Sequence, residues 1–199
     1  MSLHSGIAAL GLDLPPGAED KLSAYLALLA KWNRTYNLTA IHDEQRMVTH
    51  HLLDSLAVLP HLMDVTNMAD VGSGAGLPGI PLAICGPDLQ LTSVEASQKK
   101  AAFQQQAKIE LALDNVNVYC GRVEAMTGAF DAVISRAFAE LAAFIGHAGH
   151  LSARLLAMKG AYPQAELDRL PAGWRLTQAI RLEVPGLDAE RYLIVLGRT

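Results

Sequence analysis

The sequence predicts an α/β fold in which a mostly parallel sheet of about seven strands follows an N-terminal helical segment. Two observations carry this prediction. Up to residue 64 the apolar residues recur at the three- and four-residue spacings of amphipathic helices, whereas from Val65 onward short apolar runs alternate with helical segments. Such alternation is typical of parallel strands covered by helices on both faces. We therefore expect a helical extension over residues 1–64, packed on a core domain over residues 65–199.

The composition fits one domain of ordinary size. The chain has 199 residues, of which 51% are hydrophobic and 18% are charged, and this is enough to bury one core. No run approaches the ~18 to 20 apolar residues that a membrane span needs. The first residues also lack the basic start and apolar centre of a signal peptide. We expect a cytoplasmic monomer with no membrane partner.

Charge, cysteine and histidine content limit the partners and the kinds of site that we expect. The formal net charge of -4 provides no overall attraction to nucleic acid, so an RNA partner would have to meet a local basic patch. Cys85 and Cys120 lie in apolar stretches without a CxxC pattern, and we expect buried thiols rather than a disulfide. The adjacent His50 and His51 do not share a helix face, so no metal site is expected.

Two helices are expected in the N-terminal segment. Over residues 18–34 the apolar residues stand three and four apart, which predicts an amphipathic helix with one buried stripe. Trp32 and Tyr36 are interleaved with two basic residues, so this stretch either contacts RNA or, as the periodicity favours, packs the extension on the core. A second helix is expected over residues 44–62. The predicted buried stripe of the first helix is Leu22, Tyr25, Leu26, Leu29 and Trp32.

The turn after the first predicted strand, residues 65–69, carries the densest chemical signal. It reads Asp70-Val71-Gly72-Ser73-Gly74-Ala75-Gly76-Leu77-Pro78-Gly79. Glycine has no Cβ and adopts positive φ freely, so Gly72, Gly74 and Gly76 would let backbone N–H groups approach a ligand at the start of a helix. Asp70 can accept hydrogen bonds from those amides or from a cationic ligand. The pattern predicts a polar, partly positive ligand.

Two classes of nucleotide cofactor compete for this loop. Residues 74–79 match the dinucleotide fingerprint G-x-G-x-x-G, which is a weak signal on its own. The longer pattern acid-x-G-x-G-x-G over residues 70–76 is similar to the first motif of methyltransferases that use S-adenosylmethionine (AdoMet). It favours a methyltransferase over a dinucleotide enzyme or a structural turn. Pro78 and Pro81 fit the first turn of a short helix that ends near Gly86.

The ends of the later strands carry further candidate ligand-binding residues. Glu95 follows the second predicted strand nineteen residues after Gly76, close to the ~20 at which an acid at a strand end reaches a ribose hydroxyl. Glu124 follows the third strand and Arg136 the fourth, at the edge where ligands bind in open α/β sheets. A buried Arg136 needs a partner, so it either pairs with a carboxylate or faces the cleft.

The remaining elements complete a sheet with an antiparallel end. Strands are expected over residues 89–94, 116–120, 130–134, 155–158, 174–183 and 191–197, with helices over residues 98–113, 140–151 and 164–170.

Several stretches carry a resemblance that covers nearly the whole chain. They are Lys31-Trp32-Asn33 with Tyr36-Asn37-Leu38-Thr39, His51-Leu52-Leu53-Asp54-Ser55, residues 70–81, Arg122-Val123-Glu124, Ser135-Arg136-Ala137-Phe138-Ala139 and Lys159-Gly160. Together they resemble the glucose-inhibited division protein B family of bacterial small-subunit ribosomal RNA guanine-N7 methyltransferases. This implies a Rossmann-like class I methyltransferase fold with AdoMet as cofactor. The resemblance implies cofactor contacts at Gly72, Leu77, Val123, Glu124 and Arg136.

The implied reaction is methyl transfer to N7 of a guanine in 16S ribosomal RNA, presented by a ribosomal particle. N7 of neutral guanine carries a lone pair and no proton, so no general base is needed and no catalytic residue is assigned; positioning carries the reaction. The alternatives are an AdoMet methyltransferase for another substrate, a dinucleotide-dependent oxidoreductase, and a non-catalytic RNA-binding assembly factor. The candidate RNA contacts are Arg34, His51, Lys99, Lys100 and Lys159.

Overall fold

The computed structural model describes residues Met1–Thr199. The N-terminal segment is helical. It contains α1 (Leu3–Ala9), α2 (Ala18–Tyr36), α3 (Glu44–Met47), a π-helical turn (Val48–Leu53), α4 (Asp54–Leu56) and a 3-10 turn (Leu59–His61).

Helix α2 begins and ends at residues in the left-handed conformation. Gly17 precedes it with φ 80°, and Asn37 follows it with φ 50°. Its buried face differs from the predicted stripe, because Leu28 is buried while Leu26 is only partly so. The half-buried Trp32 packs against Phe103 with 5.7 Å between ring centroids, so it contributes to packing between the N-terminal segment and the sheet domain, as its periodicity favours.

The predicted single helix over residues 44–62 is wrong in detail. The chain forms α3 and then the π-helical turn before returning to α-helix at Asp54. A π turn inserts one extra residue per turn and changes the direction of the side chains that follow it. Here His51 and Asp54 are both buried, on a segment that also buries Leu52 and Leu53.

Seven strands form one sheet in the order β3-β2-β1-β4-β5-β7-β6, parallel except for β7, which is antiparallel to both neighbours. This is the predicted seven-stranded sheet with an antiparallel end. The strands are β1 (Asn67–Val71), β2 (Gln90–Glu95), β3 (Val116–Cys120), β4 (Ala132–Arg136), β5 (Arg154–Lys159), β6 (Trp174–Arg181) and β7 (Tyr192–Arg198). The helices between them are α5 (Gly79–Cys85), α6 (Gln98–Glu110), α7 (Leu141–Ala148) and α8 (Gln164–Leu167).

The strand order reverses at β1, which lies between β2 and β4. Such a switch point opens a crevice at the carboxyl ends of the strands, where ligands bind. Strand β1 ends two residues later than predicted, so Asp70 lies inside it and is paired in register with Ser93 and Ile134. The glycine-rich loop, Glu95 and Arg136 all lie at this edge.

The sheet separates two apolar layers. The larger contains 38 buried residues and joins Leu22 and Leu52 of the N-terminal segment to Ile80 and Phe103 of the sheet domain. The smaller contains 15 buried residues, among them Phe144 of α7. The N-terminal segment thus shares the main core, and the division of the chain at residue 64 stays a prediction.

Two further observations concern the compositional expectations. Cys85 is buried, as predicted, but Cys120 is exposed, because it ends β3 at the open edge of the sheet, and the prediction of two buried thiols is wrong there. None of the helices combines the length and the apolar character that crossing a membrane requires.

Candidate functional site

The glycine-rich loop connects β1 to α5 with three left-handed residues. Gly72, Gly74 and Gly76 have φ values of 67°, 60° and 85°, a region in which side chains are strained. The amide of Gly79, the first residue of α5, donates a 2.8 Å hydrogen bond to Asp70 Oδ2. A Cβ on Gly79 would lie 2.7 Å from that same oxygen, so glycine is required where the helix begins.

Asp70 is fully buried behind the loop. Its second carboxylate oxygen, Oδ1, has no hydrogen-bond partner. Burial raises the pKa of Asp70 to about 7, although the Gly79 amide and the charge of Arg136 oppose this shift. The Asp70 carboxyl is therefore partly protonated near neutral pH, and the hydrogen bond from the Gly79 amide gives it a structural role at the start of α5.

Glu95 fastens the loop to the end of β2. Its Oε2 accepts a 2.8 Å hydrogen bond from the Gly74 amide, and its Oε1 accepts one of the same length from the Ser97 amide. Each carboxylate oxygen has a second lone pair, so Glu95 can still accept from the hydroxyls of a ribose. A Cβ on Gly74 would meet no atom within 4 Å, so the loop is open to solvent at that point.

A cavity of about 510 Å³ lies against the carboxyl ends of β1, β2 and β3, and we call it the strand-end cavity. Its wall combines carboxylates with apolar side chains, as suits a nucleoside with a hydroxylated ribose. Four predicted site residues line it, namely Gly72, Glu95, Val123 and Glu124. Its other lining residues are Val71, Val94, Ala96, Gly121, Arg122, Phe138, Ala139 and His147.

Phe138 and His147 were not predicted as site residues. Their rings are 5.7 Å apart and nearly perpendicular, and His147 Nδ1 lies 2.7 Å from Glu124 Oε1. A Cβ on Gly72 would collide with the Phe138 ring, which therefore closes one side of the cavity. Phe138 lies in the stretch after β4 on which the family resemblance rests. The direction of its side chain depends on Ala137, a non-glycine residue in the left-handed conformation with φ 54°. Nothing in the sequence indicates that Ala137 adopts this conformation.

A smaller cavity of about 150 Å³, which we call the loop cavity, adjoins the strand-end cavity, with Gly72 lining both. The predicted residues Gly74, Leu77 and Arg136 line it. Gly76 lines none of the cavities, and a Cβ there would collide with Ile80, so its requirement comes from packing. The remaining lining residues are Leu38, Thr39, His51, Ser73, Ala75 and Ala137.

Arg136 combines the two roles that its position in the sequence left open. Its Nη1 donates 2.9 Å hydrogen bonds to Asp54 Oδ2 and to the His50 carbonyl, so it belongs to an ion pair. It also lines the loop cavity and a third cavity of about 430 Å³, which we call the arginine cavity. The arginine cavity is lined by Ile41, His50, His51, Asp54, Arg136, Ala137, Met158, Lys159, Gly160 and Arg191.

The five candidate RNA contacts separate into two groups. His51 and Lys159 line the arginine cavity, whereas Arg34, Lys99 and Lys100 line none of the three cavities. Lys159 Nζ is already paired with Glu166 at 2.8 Å.

His51 is a poor phosphate contact because it is uncharged. Its Nε2 lies 2.9 Å from Thr39 Oγ1. Burial, and then the charge of Arg136, lower the pKa of His51 to about 4, so the ring is neutral at pH 7.

Comparison with known proteins agrees with this architecture. The family model described as GidB, rRNA small subunit methyltransferase G, matches residues 18–195. The chain belongs to this family. A ribosomal RNA small subunit methyltransferase G from Aromatoleum aromaticum is 57% identical over 206 residues, covering 99% of this chain and 98% of that protein. One from Neisseria meningitidis is 56% identical over 200 residues, covering 98% of this chain and 97% of that protein.

Solved structures show that this GidB chain has the Rossmann-like fold of class I methyltransferases. A magnesium protoporphyrin IX methyltransferase from Synechocystis, solved with bound SAH, superimposes with a TM-score of 0.64 at 15% identity, over 88% of this chain and 100% of that one. TrmN from Thermus thermophilus superimposes with a TM-score of 0.58 at 18% identity, over 76% of this chain and 53% of that one. At these identities the likeness establishes the fold, which is the predicted one.

Proposed function

We propose that this chain transfers the methyl group of AdoMet to N7 of a guanine in small-subunit ribosomal RNA. Membership of the GidB family and relatives named for this activity support the reaction class. The observation that carries the proposal is the adjacency of the cavities, since the strand-end cavity and the loop cavity share Gly72, and the loop cavity shares Arg136 with the arginine cavity. A nucleoside cofactor and a nucleotide can therefore meet at the loop.

The residues of the strand-end cavity fit the cofactor. Glu95 is available to accept from ribose hydroxyls, and the apolar Val123 and the ring of Phe138 offer contact to an adenine. When bound, AdoMet supplies a methyl group on a positively charged sulfonium. Glu95 and Glu124 provide the negative charge that complements it. We propose Gly72, Gly74, Leu77, Glu95, Val123, Glu124 and Arg136 as the residues that hold or border the cofactor.

The residues of the loop cavity fit a reaction without proton abstraction. Of its ionisable side chains, Arg136 is hydrogen-bonded to Asp54 and His51 to Thr39. Because the attacked nitrogen carries a lone pair and no proton, the chain needs to orient the base and exclude water. Correct orientation at near-attack distance supplies ~7 to 11 kcal/mol of barrier lowering in favourable cases.

We further propose that the protein acts in the cytoplasm, as a monomer, on an assembled ribosomal particle. One chain lines all three cavities, so a second copy is not needed to complete the site. The net charge of -4 leaves nonspecific attraction to RNA weak, so the shape of a particle must contribute to selection.

The proposed substrate is tested by labelled methyl transfer at matched salt. The three acceptors are small subunits that lack the modification, the same RNA without protein, and an unrelated structured RNA. We expect the highest kcat/KM on the particle and none above background on the unrelated RNA. Equal rates on all three acceptors would contradict the proposal.

A further inference from the structure

Asp54 joins two arginines that are far from it in sequence. Its Oδ2 accepts a 2.9 Å hydrogen bond from Arg136 Nη1 at the end of β4, and its Oδ1 accepts a 2.8 Å bond from Arg191 Nε just before β7. The Asp54 side chain is only 3% exposed, whereas those of Arg136 and Arg191 are 19% and 22% exposed. The carboxylate is therefore the buried anchor, and the guanidinium groups extend from it to the wall of the arginine cavity.

This cluster carries more positive than negative charge. One carboxylate faces two permanently protonated guanidinium groups, so a unit of positive charge remains uncompensated. The other cation of the cavity, Lys159, has its charge matched by Glu166, and the depressed pKa of His51 leaves that ring neutral at pH 7. The excess charge therefore resides on the arginine pair.

Both arginines retain unused donors. Arg136 directs Nη1 to Asp54 and to the His50 carbonyl, and its Nη2 makes no hydrogen bond within the chain. Arg191 directs Nε to Asp54 and Nη1 to the Glu190 carbonyl, and its Nη2 is likewise unused. Two adjacent, partly exposed guanidinium groups with unused N–H donors match the oxygens of a phosphate.

The proposed reaction excludes the other common ligand of such a pair. Arginine often recognises guanine through O6 and N7 together. In N7 methylation that nitrogen must face the methyl donor in the loop cavity, so it is not available to an arginine. The anions that remain are the carboxylate of the cofactor and a phosphate of the RNA backbone. Arg191 lines the arginine cavity but neither of the other two cavities, which favours the phosphate.

We propose that Arg191, held by Asp54 beside Arg136, binds the backbone phosphate of the target guanosine and thereby positions the guanine at the loop cavity. This inference rests on the proposed function for the identity of the nucleotide. Arg191 is a substrate-binding residue in this account, and Asp54 is a positioning residue that acts through both arginines.

The first test compares Arg191→Gln and Arg191→Lys with the wild type in methyl transfer to unmodified small subunits. Because a charge-assisted contact is lost, we expect Arg191→Gln to raise KM about tenfold or more. The slope of log KM against log salt concentration should fall by about one unit, as expected for the loss of one phosphate contact. Arg191→Lys should recover the salt dependence but only part of the affinity, since lysine lacks the planar fork. AdoMet affinity should be unchanged in both variants.

Arg175→Gln is the matched control, because Arg175 is an exposed arginine of the edge strand β6 and lines none of the three cavities. Its KM and salt dependence should equal those of the wild type. An Arg191→Gln protein that is folded, binds AdoMet normally and shows the control's KM would overturn the inference.

The second test does not depend on methyl transfer. Binding of GMP, guanosine and inorganic phosphate to the full chain is measured by NMR titration in the presence of S-adenosylhomocysteine (SAH), the cofactor without its methyl group. We expect GMP to bind about tenfold more tightly than guanosine, and the difference to vanish in Arg191→Gln and in Asp54→Asn. Inorganic phosphate should compete with GMP and not with guanosine.

The two tests distinguish failure of the inference from failure of the proposed function. If the wild type methylates particles but GMP and guanosine bind equally, the phosphate site is refuted and the reaction stands. If the wild type prefers GMP through Arg191 but methylates no particle, the phosphate site stands and the proposed function is refuted.

Discussion

The strand-end cavity and the arginine cavity each share a lining residue with the loop cavity, and they differ in charge and in construction. The first is lined by the carboxylates of Glu95 and Glu124, with Arg122 paired to Glu124, together with apolar side chains. The second is lined by Arg136, Lys159 and Arg191, with Asp54 beneath them. A cation is favoured on one side and an anion on the other, as a sulfonium cofactor and an RNA strand require.

The two cavities also depend on different interactions. Backbone geometry forms the first, through left-handed glycines and amides held by Asp70 and Glu95. A buried ion cluster between distant segments forms the second. Changes to the loop should therefore act on cofactor binding, whereas changes to the ion cluster should act on stability and on RNA binding.

The largest expected effect comes from a substitution that disrupts the ion cluster of the arginine cavity. Asp54→Asn removes the anion from between two guanidinium groups and leaves buried charge without compensation, so we expect the free energy of unfolding to fall by about 3 to 5 kcal/mol in urea denaturation. The matched control is Asp64→Asn. Asp64 also pairs with one arginine, Arg154, but its side chain is 72% exposed. That control should lose less than about 1 kcal/mol. Equal losses in the two variants would mean that the ion cluster is not a structural anchor.

A slightly smaller effect concerns the pH dependence of stability at His51. The pKa of this ring is lowered to about 4 in the folded chain, first by burial and then by Arg136. The ordinary pKa of histidine is about 6.5. Between that pH and about pH 4 the unfolded chain binds a proton at His51 that the folded chain does not, so the free energy of unfolding falls as the pH falls, by up to about 3 kcal/mol.

Asp70 acts in the opposite sense, because its pKa is raised to about 7 in the folded chain, and its contribution to stability grows as pH falls through that value. The measurement is therefore the difference between wild type and His51→Asn. The variant should lose less stability than the wild type between pH 6.5 and pH 4. Parallel pH profiles would show that His51 is not held neutral by its surroundings.

Gly74→Val tests the loop and should lower cofactor affinity beyond what a general loss of stability explains. Gly74 has φ 60° and a Cβ position open to solvent, so valine adds strain and occupies space needed for the ligand. We expect AdoMet affinity, measured by calorimetry, to fall at least about a hundredfold, which is about 2.7 kcal/mol.

Gly173→Val is the matched control, since Gly173 has φ 85° and an equally open Cβ position but lies in the turn before β6. It should lose a similar amount of stability, about 1 to 2 kcal/mol, and bind AdoMet as the wild type does. An unchanged AdoMet affinity in folded Gly74→Val would contradict the assignment of the loop.

The smallest effect is expected at the start of α6. Lys99 is exposed and Lys100 partly so, and both lie outside the cavities. Replacing both with alanine should raise the KM for particles less than about tenfold. The slope of log KM against log salt concentration should fall by about two units, as expected for the loss of two phosphate contacts. Lys108→Ala, near the other end of the same helix, is the control. If the double variant keeps the salt dependence of the wild type, these lysines do not contact RNA.

The sequence predicted the sheet well because its signals are local. Apolar runs and their spacing predicted seven strands, and the proline positions predicted a helix start near Pro78 or Gly79, which is where α5 begins. The pairing of Asp54 with Arg136 and Arg191 was not predicted, because it joins three distant segments and follows a π-helical turn that has no sequence signature. Phe138 was missed for a similar reason, since it depends on the left-handed Ala137.

The central claim is that the two cavities bring a methyl donor and a guanine N7 together at the loop. Its most direct test is transfer of labelled methyl from AdoMet to unmodified small subunits, followed by nuclease digestion and separation of the labelled nucleosides. We expect the label in 7-methylguanosine. Label recovered in another nucleoside, or in ribosomal protein, would contradict it.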